Sequence, residues 1–378
     1  MLQRKYSKIR EELHRHPELS GEEIHTATFV QQCVKEDEHT SVYAHVGGCG
    51  VVVECCFSSD GPTLLFRADM DAVAVAENIP TDYSSQVPGV SHKCGHDGHT
   101  AILLAFVALL QKNPLEKGRI LLLFQPSEEN GQGAQNVLKD PFFERIKIDK
   151  VYALHNLPGF PFASIVCRAG SFTCSVVSCM IKIIGKTAHA AEPENGISPT
   201  PALVEILRIT QSWNDPDIES DDYFRSTLIE LHIGEEAYGV AAGEGVIRLT
   251  FRAATEVKLQ QYKNKLTALV EKLTIETQGL RSSLEWLEAF AANENDPMSV
   301  NVIKNAVNNE QLKYIEMNCP FAWGEDFGLF TQRFKGAMLG LGAGNIAPLH
   351  SPDYDFPNGL IEVGAKLFYK IAKIETKS

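Results

Sequence analysis

Three short segments within the first 155 residues bring together side chains that can bind metal ions. A cysteine and two histidines stand in Cys94–His99, a glutamate pair follows at 128–129, and His155 comes after a further apolar segment. Thiolate, imidazole and carboxylate groups are common protein ligands of divalent transition metals. A carboxylate that is not needed as a ligand can serve as the general base that activates water. The pattern therefore predicts a metal-dependent hydrolytic site.

Each of these groups also has a simpler structural interpretation. A cysteine is often a small buried apolar residue, Glu128 and Glu129 could complement the dipole of a helix N-terminus, and His155 could be a core histidine. Their positions favour the functional interpretation, because they lie next to predicted strand ends or at a helix start. In α/β folds, the loops at the carboxyl ends of strands build the sites. The glycine between the cysteine and the first histidine would let both donors face one point.

Further candidates lie near the ends of other predicted strands. Asp71 could orient a metal-bound imidazole through a hydrogen bond. Near the C-terminus there is a carboxylate pair at 325–326, and His350 follows the glycine-rich segment 340–344, which we expect to be a loop that a ligand can approach. His189 follows a strand and could donate a hydrogen bond to a developing oxyanion, although a surface-loop histidine is an equally good interpretation.

The composition restricts the class of protein. With 378 residues, 44% of them hydrophobic and 22% charged, the chain has the profile of a soluble two-domain enzyme. A formal net charge of −13 argues against a nucleic-acid or anionic-membrane partner. The longest apolar run, 101–110, is too short for a bilayer span, and we expect no secretion signal at the polar N-terminus. Nine cysteines without disulfide spacing predict reduced thiols and a cytoplasmic protein.

Two patterns of secondary structure divide the chain. Strands and helices alternate up to about residue 155, which predicts an α/β domain with helices on both faces of its sheet. Within it, Ser20–Glu23 has the spacing of a capping box and predicts a helix from there to Val34. After about residue 172 the predicted order is strand, helix, strand, strand, helix, strand, which is the ferredoxin-like order. We therefore predict a catalytic domain of residues 1–173 and 289–378, interrupted by an inserted α+β domain of residues 174–288.

Together these motifs resemble the amidohydrolase branch of the dimetal aminoacylase and carboxypeptidase superfamily. Its familiar members include hippurate hydrolase, N-acyl-amino-acid amidohydrolase and the indoleacetyl-amino-acid hydrolases. The resemblance implies a zinc-peptidase-like catalytic domain with a mixed sheet, and an inserted ferredoxin-like domain that acts as a lid and in dimerisation. It runs nearly end to end, through segments 13–20, 67–71, 94–99, 125–129, 155, 185–189, 324–327 and 350.

The resemblance also implies roles for individual residues. Glu128 would be the general base, Asp71 the supporting carboxylate, and Arg252 the group that holds a substrate carboxylate. His189 would polarise the scissile carbonyl, often in the active site of a partner subunit, which implies a homodimer. The implied metal ligands are Cys94, His96, Glu129, His155 and His350.

The implied activity is hydrolysis of the amide bond of N-acyl amino acids or related small amides. It would use two divalent ions per subunit, and the thiolate favours zinc or manganese, with cobalt or nickel as alternatives, over magnesium. A dipeptidase or carboxypeptidase on the same scaffold is the alternative, and a non-catalytic binding protein would be expected to lack the base or a ligand. The sequence departs from the usual pattern of this family at three places that bear on substrate choice. Asn130 follows the glutamate pair, Thr187-Ala188 precedes His189, and there is no asparagine at 238–242.

Overall fold

The computed structural model describes residues 2–220 and 222–377, which fold into two compact units. The first unit takes the chain up to Phe172, then Asn293–Asn318, and then the chain from Glu325 onward. The second unit takes Thr173–Ala292 and Cys319–Gly324. Within residues 2–220 and 222–377, no helix has both the length and the apolar character that crossing a membrane requires.

The strands and helices are numbered here in chain order. The strands are β1 (Thr40–Val46), β2 (Gly50–Cys56), β3 (Thr63–Asp69), β4 (Arg119–Gln125), β5 (Lys150–Pro158), β6 (Ile165–Cys167), β7 (Gly170–Thr173), β8 (Ser175–Ile184), β9 (Ala188–His189), β10 (Phe224–Ile233), β11 (Val240–Ala241), β12 (Glu244–Ala253), β13 (Arg281–Phe290), β14 (Asn293–Asn295), β15 (Tyr314–Glu316) and β16 (Gly336–Gly344). The α-helices are α1 (Leu2–Arg15), α2 (Ile24–Cys33), α3 (His96–Lys112), α4 (Gly133–Lys139), α5 (Pro141–Glu144), α6 (Thr200–Ser212), α7 (Glu256–Glu276), α8 (Pro297–Asn309), α9 (Gly328–Arg333) and α10 (Leu360–Glu375).

The first unit is built on an eight-stranded mixed sheet in the order β1-β2-β4-β3-β5-β16-β6-β15. Its four central strands run parallel, since β3 pairs in parallel with β4 and β5, and β5 with β16. The segment 120–124 of β4 is fully buried at every position. Because side chains alternate between the two faces of a strand, both faces of β4 must be covered. The mixed α/β sheet expected for this domain is thus confirmed.

Helix α3 lies in the core of this unit. It begins directly after Gly95, whose φ of +96° is a left-handed conformation that suits glycine. Every residue from His96 to Val107 is buried, so the helix is enclosed on all sides over its first three turns. Its first turn places His96 and His99, three residues apart, on one side of the helix.

The predicted capping box at Ser20–Glu23 is wrong. Helix α2 begins at Ile24, and its N-cap residue makes no capping hydrogen bond with its side chain. The Ser20 hydroxyl donates instead to Oδ2 of Asp71 at 2.7 Å. The Glu23 carboxylate accepts from the backbone N–H of Ser127 at 2.7 Å. Both side chains are therefore used in tertiary contacts rather than at a helix end.

The glycine-rich segment 340–344 is part of strand β16, and the expectation of a loop there is wrong. A Cβ atom at Gly340 would lie 2.1 Å from Cδ1 of Leu157, and one at Gly342 would lie 2.2 Å from the carbonyl oxygen of Pro161. Glycine is needed at these positions because neighbouring groups pack directly onto the strand. Its role is packing within the sheet, not access for a ligand.

The second unit has its own sheet and core. Its four-stranded antiparallel sheet has the order β10-β12-β8-β13, which is the ferredoxin-like arrangement when combined with the chain order of strands and helices. Residues of β12 alternate between buried and partly exposed, so one face of the sheet packs on the core with helices α6 and α7. A separate two-stranded ribbon pairs His189 of β9 with Val240 of β11.

Candidate metal centre

The predicted metal ligands lie together at one edge of the sheet in the first unit. Cys94 and His96 flank the start of α3, Glu129 follows β4, His155 lies in β5, and His350 follows β16. Strands β4, β5 and β16 run in the same direction, so their carboxyl ends meet at the same edge of the sheet. Parallel pairing thus brings residues from distant parts of the chain to one place.

Distances between the ligand atoms show that they form one continuous group. Sγ of Cys94 lies 3.4 Å from Nε2 of His155. Oε1 of Glu129 lies 3.8 Å from Nε2 of His96 and 3.3 Å from Nε2 of His350. The donor atoms of Cys94, His96 and His155 lie within 4.8 Å of one another, as do those of Cys94, Glu129 and His350. Two overlapping sets of three donors are therefore available.

The imidazole orientations are set by main-chain carbonyls. Nδ1 of His96 lies 2.9 Å from the carbonyl oxygen of Asp71, and Nδ1 of His155 lies 2.8 Å from that of Asn156. A carbonyl oxygen only accepts hydrogen bonds, so each Nδ1 carries the proton and, in the neutral ring, each Nε2 carries the lone pair. Nε2 of His96 is buried and has no hydrogen-bond partner within the described residues 2–220 and 222–377. A buried nitrogen in this condition fits a bound cation.

The charge states of the ligands also fit metal binding. Burial, together with nearby His99, lowers the pKa of His155 to about 3, so this ring is neutral. Burial and the nearby Glu129 and Glu128 raise the pKa of the Cys94 thiol well above its ordinary value. Burial alone would lower the pKa of His96, but Asp69 and Asp71 raise it to about 10. A metal ion would replace these protons and compensate the carboxylate charges.

Glu129 is held as a carboxylate. Burial opposes its ionisation, but the hydrogen bond from His350 and the charge of His96 outweigh this effect and lower its pKa. Its backbone N–H donates to Oδ2 of Asp71 at 2.9 Å. Asp71, which the resemblance implies as the supporting carboxylate, thus contacts both His96 and the backbone of Glu129.

Glu128 lies beside the ligands but in a different environment. It is 6% exposed, and its carboxylate lies within 4.8 Å of donor atoms of both Glu325 and Asp326. Burial and the charges of Glu325 and Glu129 raise the pKa of Glu128 well above its ordinary value. A buried carboxyl group that readily holds a proton is suited to general acid–base catalysis.

Two left-handed residues adjoin the site. Ser127 has a φ of +59° and His350 a φ of +62°, a conformation that is uncommon for residues other than glycine. The backbone N–H of Ser127 is held by the Glu23 carboxylate, and that of His350 by the carbonyl oxygen of Lys93 at 2.8 Å. Strained backbone of this kind persists where surrounding contacts impose it, and such positions cluster at functional sites.

Several residues around the ligands were not assigned a role from the sequence. Nδ1 of His99 lies 2.6 Å from Oδ1 of Asp69, and its Nε2 accepts from the backbone N–H of Asn156 at 3.1 Å. Arg67 pairs with three buried carboxylates at 2.7–3.0 Å: Asp69, Glu325 and Asp326. The helical spacing of His96 and His99 was a usable signal for His99. No local pattern indicates that Arg67 pairs with Glu325 and Asp326, which are distant in the sequence.

Two predicted residues, His189 and Arg252, belong to the second unit. His189 is exposed, and its Nδ1 accepts from the backbone N–H of Ala191 at 3.0 Å, so the neutral ring carries its proton on Nε2. Arg252 lies on β12 and donates from Nη1 to the carbonyl oxygen of Ala322 at 2.8 Å. Their roles towards a substrate stay predictions.

Known proteins are similar to this chain over nearly its whole length. N-acetyl-L-cysteine deacetylase of Bacillus subtilis (strain 168) is 30% identical over 366 residues, covering 97% of this chain and 86% of the relative. Hippurate hydrolase of Campylobacter jejuni is 30% identical over 380 residues, covering 98% and 96%. The crystal structure of the Bacillus subtilis YXEP protein, a dinuclear metal binding peptidase from the M20 family, superposes with a TM-score of 0.85 at 23% identity, covering 100% of this chain and 99% of that one.

These similarities agree with the resemblance inferred from the motifs, which is thereby confirmed. Residues 65–374 match peptidase family M20/M25/M40. The matched range contains every candidate ligand and the candidate base Glu128. The chain therefore belongs to peptidase family M20/M25/M40.

Proposed function

We propose that this hydrolase cleaves the amide bond of N-acyl amino acids, with the first unit as its catalytic domain and the second as its lid. The observation that carries the proposal is the position of Glu128, a buried carboxylate directly beside a cluster of five candidate metal ligands. Relatives named as an N-acetyl-L-cysteine deacetylase and a hippurate hydrolase support the substrate class.

The ligand set suits two divalent ions. Cys94, His96, Glu129, His155 and His350 would hold them, and the thiolate favours zinc or manganese, with cobalt or nickel as alternatives, over magnesium. When bound, the ions would supply Lewis acidity and positive charge, which polarise an amide carbonyl, acidify water and favour the ionised form of the carboxylates around them.

The remaining steps fall to the side chains of the protein. Glu128 accepts a proton from the attacking water and returns it to the amide nitrogen as the C–N bond breaks. His189 donates a hydrogen bond from its Nε2–H to the carbonyl oxygen of the substrate and so polarises this carbonyl, and Arg252 pairs with the substrate carboxylate. Since water is the nucleophile, no acyl-enzyme forms.

A homodimer through the second unit belongs to this proposal. Strand β10 lies at one edge of its sheet. Leu228 and Ile229 on this strand are 39% and 60% exposed, and an apolar edge strand is suited to pairing with another strand. The cytoplasm is the proposed compartment, because nine cysteines suit a reducing environment.

The test is release of free amino acid from a panel of N-acyl amino acids and dipeptides, first with manganese or zinc and then with a chelator. We expect chelator-sensitive release from at least one N-acyl amino acid. Glu128→Gln should lower kcat by about 100- to 10,000-fold while metal content is unchanged. Release from dipeptides alone would assign the peptidase alternative. No release by a protein that holds both ions would contradict the proposal.

A further inference from the structure

Asn156 is fully buried next to His155 and makes hydrogen bonds through all four of its polar groups. Its carbonyl oxygen accepts from His155 Nδ1, and its backbone N–H donates to His99 Nε2. Its side-chain Nδ2 donates to the carbonyl oxygen of Cys94 at 2.7 Å, and its Oδ1 accepts from the hydroxyl of Tyr354. Asn156 thus contacts the imidazole of one candidate ligand, His155, and the backbone of another, Cys94.

These contacts admit only one orientation of the amide. The carbonyl oxygen of Cys94 can only accept, so it must face Nδ2 of Asn156. The backbone N–H of Asn156, which can only donate, lies 3.1 Å from His99 Nε2, so in the neutral ring the proton is on Nδ1, which donates to Oδ1 of Asp69 at 2.6 Å. His99 Nε2 is therefore an acceptor, and it lies 3.0 Å from Nδ2 of Asn156. With Nδ2 facing Cys94 and His99 and Oδ1 facing Tyr354, every donor of the Asn156 amide faces an acceptor and its acceptor faces a donor.

The amide and the tyrosine also pack directly under the turn that carries two candidate ligands. A Cβ atom on Gly95 would lie 2.5 Å from Nδ2 of Asn156 and 2.6 Å from the hydroxyl oxygen of Tyr354. The backbone between Cys94 and His96 therefore rests on these two polar groups. Because Gly95 has a left-handed φ and no side chain, the turn needs such support from outside to hold one position.

Tyr354 links the same amide to the segment that carries the fifth candidate ligand. The backbone N–H of Tyr354 donates to the carbonyl oxygen of Ser351 at 3.0 Å, just after His350. The carbonyl oxygen of Tyr354 accepts from Nζ of Lys93 at 2.8 Å, while the carbonyl oxygen of Lys93 accepts from the N–H of His350. Asn156 is therefore the point where three ligand-bearing segments meet.

We propose that Asn156 is a positioning residue of the metal centre: its carboxamide, together with the Tyr354 hydroxyl, holds the Cys94–His96 turn at its distance from His155. The inference rests on the proposed metal-dependent function. Only an amide offers donors towards Cys94 and His99 and an acceptor towards Tyr354 at the same time. A carboxylate of the same shape lacks the donors. Residues that orient metal ligands typically change metal affinity by about 10- to 100-fold when they are replaced.

The experiment measures metal affinity and ligand geometry rather than turnover. Zinc dissociation constants are measured by competition with a chromophoric chelator for wild type, Asn156→Asp and Tyr354→Phe. The cobalt-substituted proteins are compared through the thiolate-to-cobalt absorption band. We expect Asn156→Asp to weaken zinc binding by about 10- to 100-fold and to weaken or shift this band. We expect a smaller loss of zinc affinity for Tyr354→Phe, which removes a single oxygen. This variant tests the proposal if Asn156→Asp does not fold.

Matched control variants carry the same chemical changes far from the ligands. The first control is Asn309→Asp, at an exposed position at the end of α8. The second is Tyr369→Phe, which loses a hydroxyl that donates to the carbonyl oxygen of Asn113. Both should bind zinc as wild type does. Wild-type affinity and an unchanged cobalt band in both test variants would overturn the positioning role and leave the proposed function standing. A wild-type protein that binds neither zinc nor cobalt would overturn both.

Discussion

Main-chain carbonyls present the Nε2 atoms of the two buried ligand histidines. The carbonyl oxygens of Asp71 and Asn156 accept from Nδ1 of His96 and His155. Because these acceptors belong to the backbone, a side-chain substitution does not remove the carbonyl oxygen to which each Nδ1 donates. Side chains near the site control instead where the ligand atoms lie. The effects of substitutions at the site should therefore appear in metal affinity and metal preference.

Cys94→Ser tests the thiolate as a metal ligand. We expect the variant to lose about tenfold or more in zinc affinity and less in manganese affinity, because a hydroxyl lacks the soft sulfur donor that zinc prefers. Chelator competition with each metal measures both changes. Cys56→Ser, at a half-buried thiol on β2, is the control and should bind both metals normally. Equal losses for the two metals would contradict the expected role of sulfur.

At the scale of elements, Lys93 joins the turn before α3 to the segment after β16. Its fully buried Nζ lies 2.6 Å from Oε1 of Glu77 and donates to the carbonyl oxygen of Tyr354. Glu77 also lies 3.0 Å from Nε2 of His14. Burial opposes ionisation of Glu77, but its contacts with His14 and Lys93 lower its pKa to about 2. The Lys93 side chain thus joins the two ligand-bearing segments through the Tyr354 carbonyl, and its buried charge is paired with Glu77.

Lys93→Met should destabilise the first unit. The substitution keeps most of the length of the side chain but removes one partner of Glu77 and the donor to the Tyr354 carbonyl, at a cost of about 2–5 kcal/mol. The measurement is the thermal unfolding midpoint in the presence of a chelator. Lys366→Met, which removes an exposed ion pair with Glu362 on α10, should cost about 0–1 kcal/mol. Similar midpoints for the two variants would show that the buried pair does not stabilise this unit.

At the scale of the whole molecule, the proposed homodimer depends on the edge strand β10. Ile229→Lys should shift the protein to monomer, with a dimer dissociation constant raised by about tenfold or more, because a charged side chain on an edge strand opposes pairing. Sedimentation velocity over a concentration series measures this shift. Ile275→Lys, at an 82% exposed position on α7, is the matched control and should leave the association state unchanged. If Ile229→Lys associates as wild type does, β10 is not the dimer contact.

Two interpretations of local sequence patterns were wrong for the same reason. Segment 340–344 has the composition of a flexible loop, yet it is a strand whose glycines allow close contacts with Leu157 and Pro161. Ser20–Glu23 has the spacing of a capping box, yet its side chains bond to residues more than 50 positions away. In both cases a local pattern is compatible with two structures, and only the neighbours contributed by other segments decide between them.

The sequence by itself determined the family and the chemical identity of the candidate site. Thiol, imidazole and carboxylate side chains next to strand ends and helix starts are local features, and the match to peptidase family M20/M25/M40 confirms the resemblance that they indicated. Only the tertiary structure decided how these groups are held. Asn156 meets Cys94 and Tyr354 across 62 and 198 positions of the chain. Contacts of that separation leave no periodicity or spacing in the sequence, because they exist only once the parallel strands have brought their ends together.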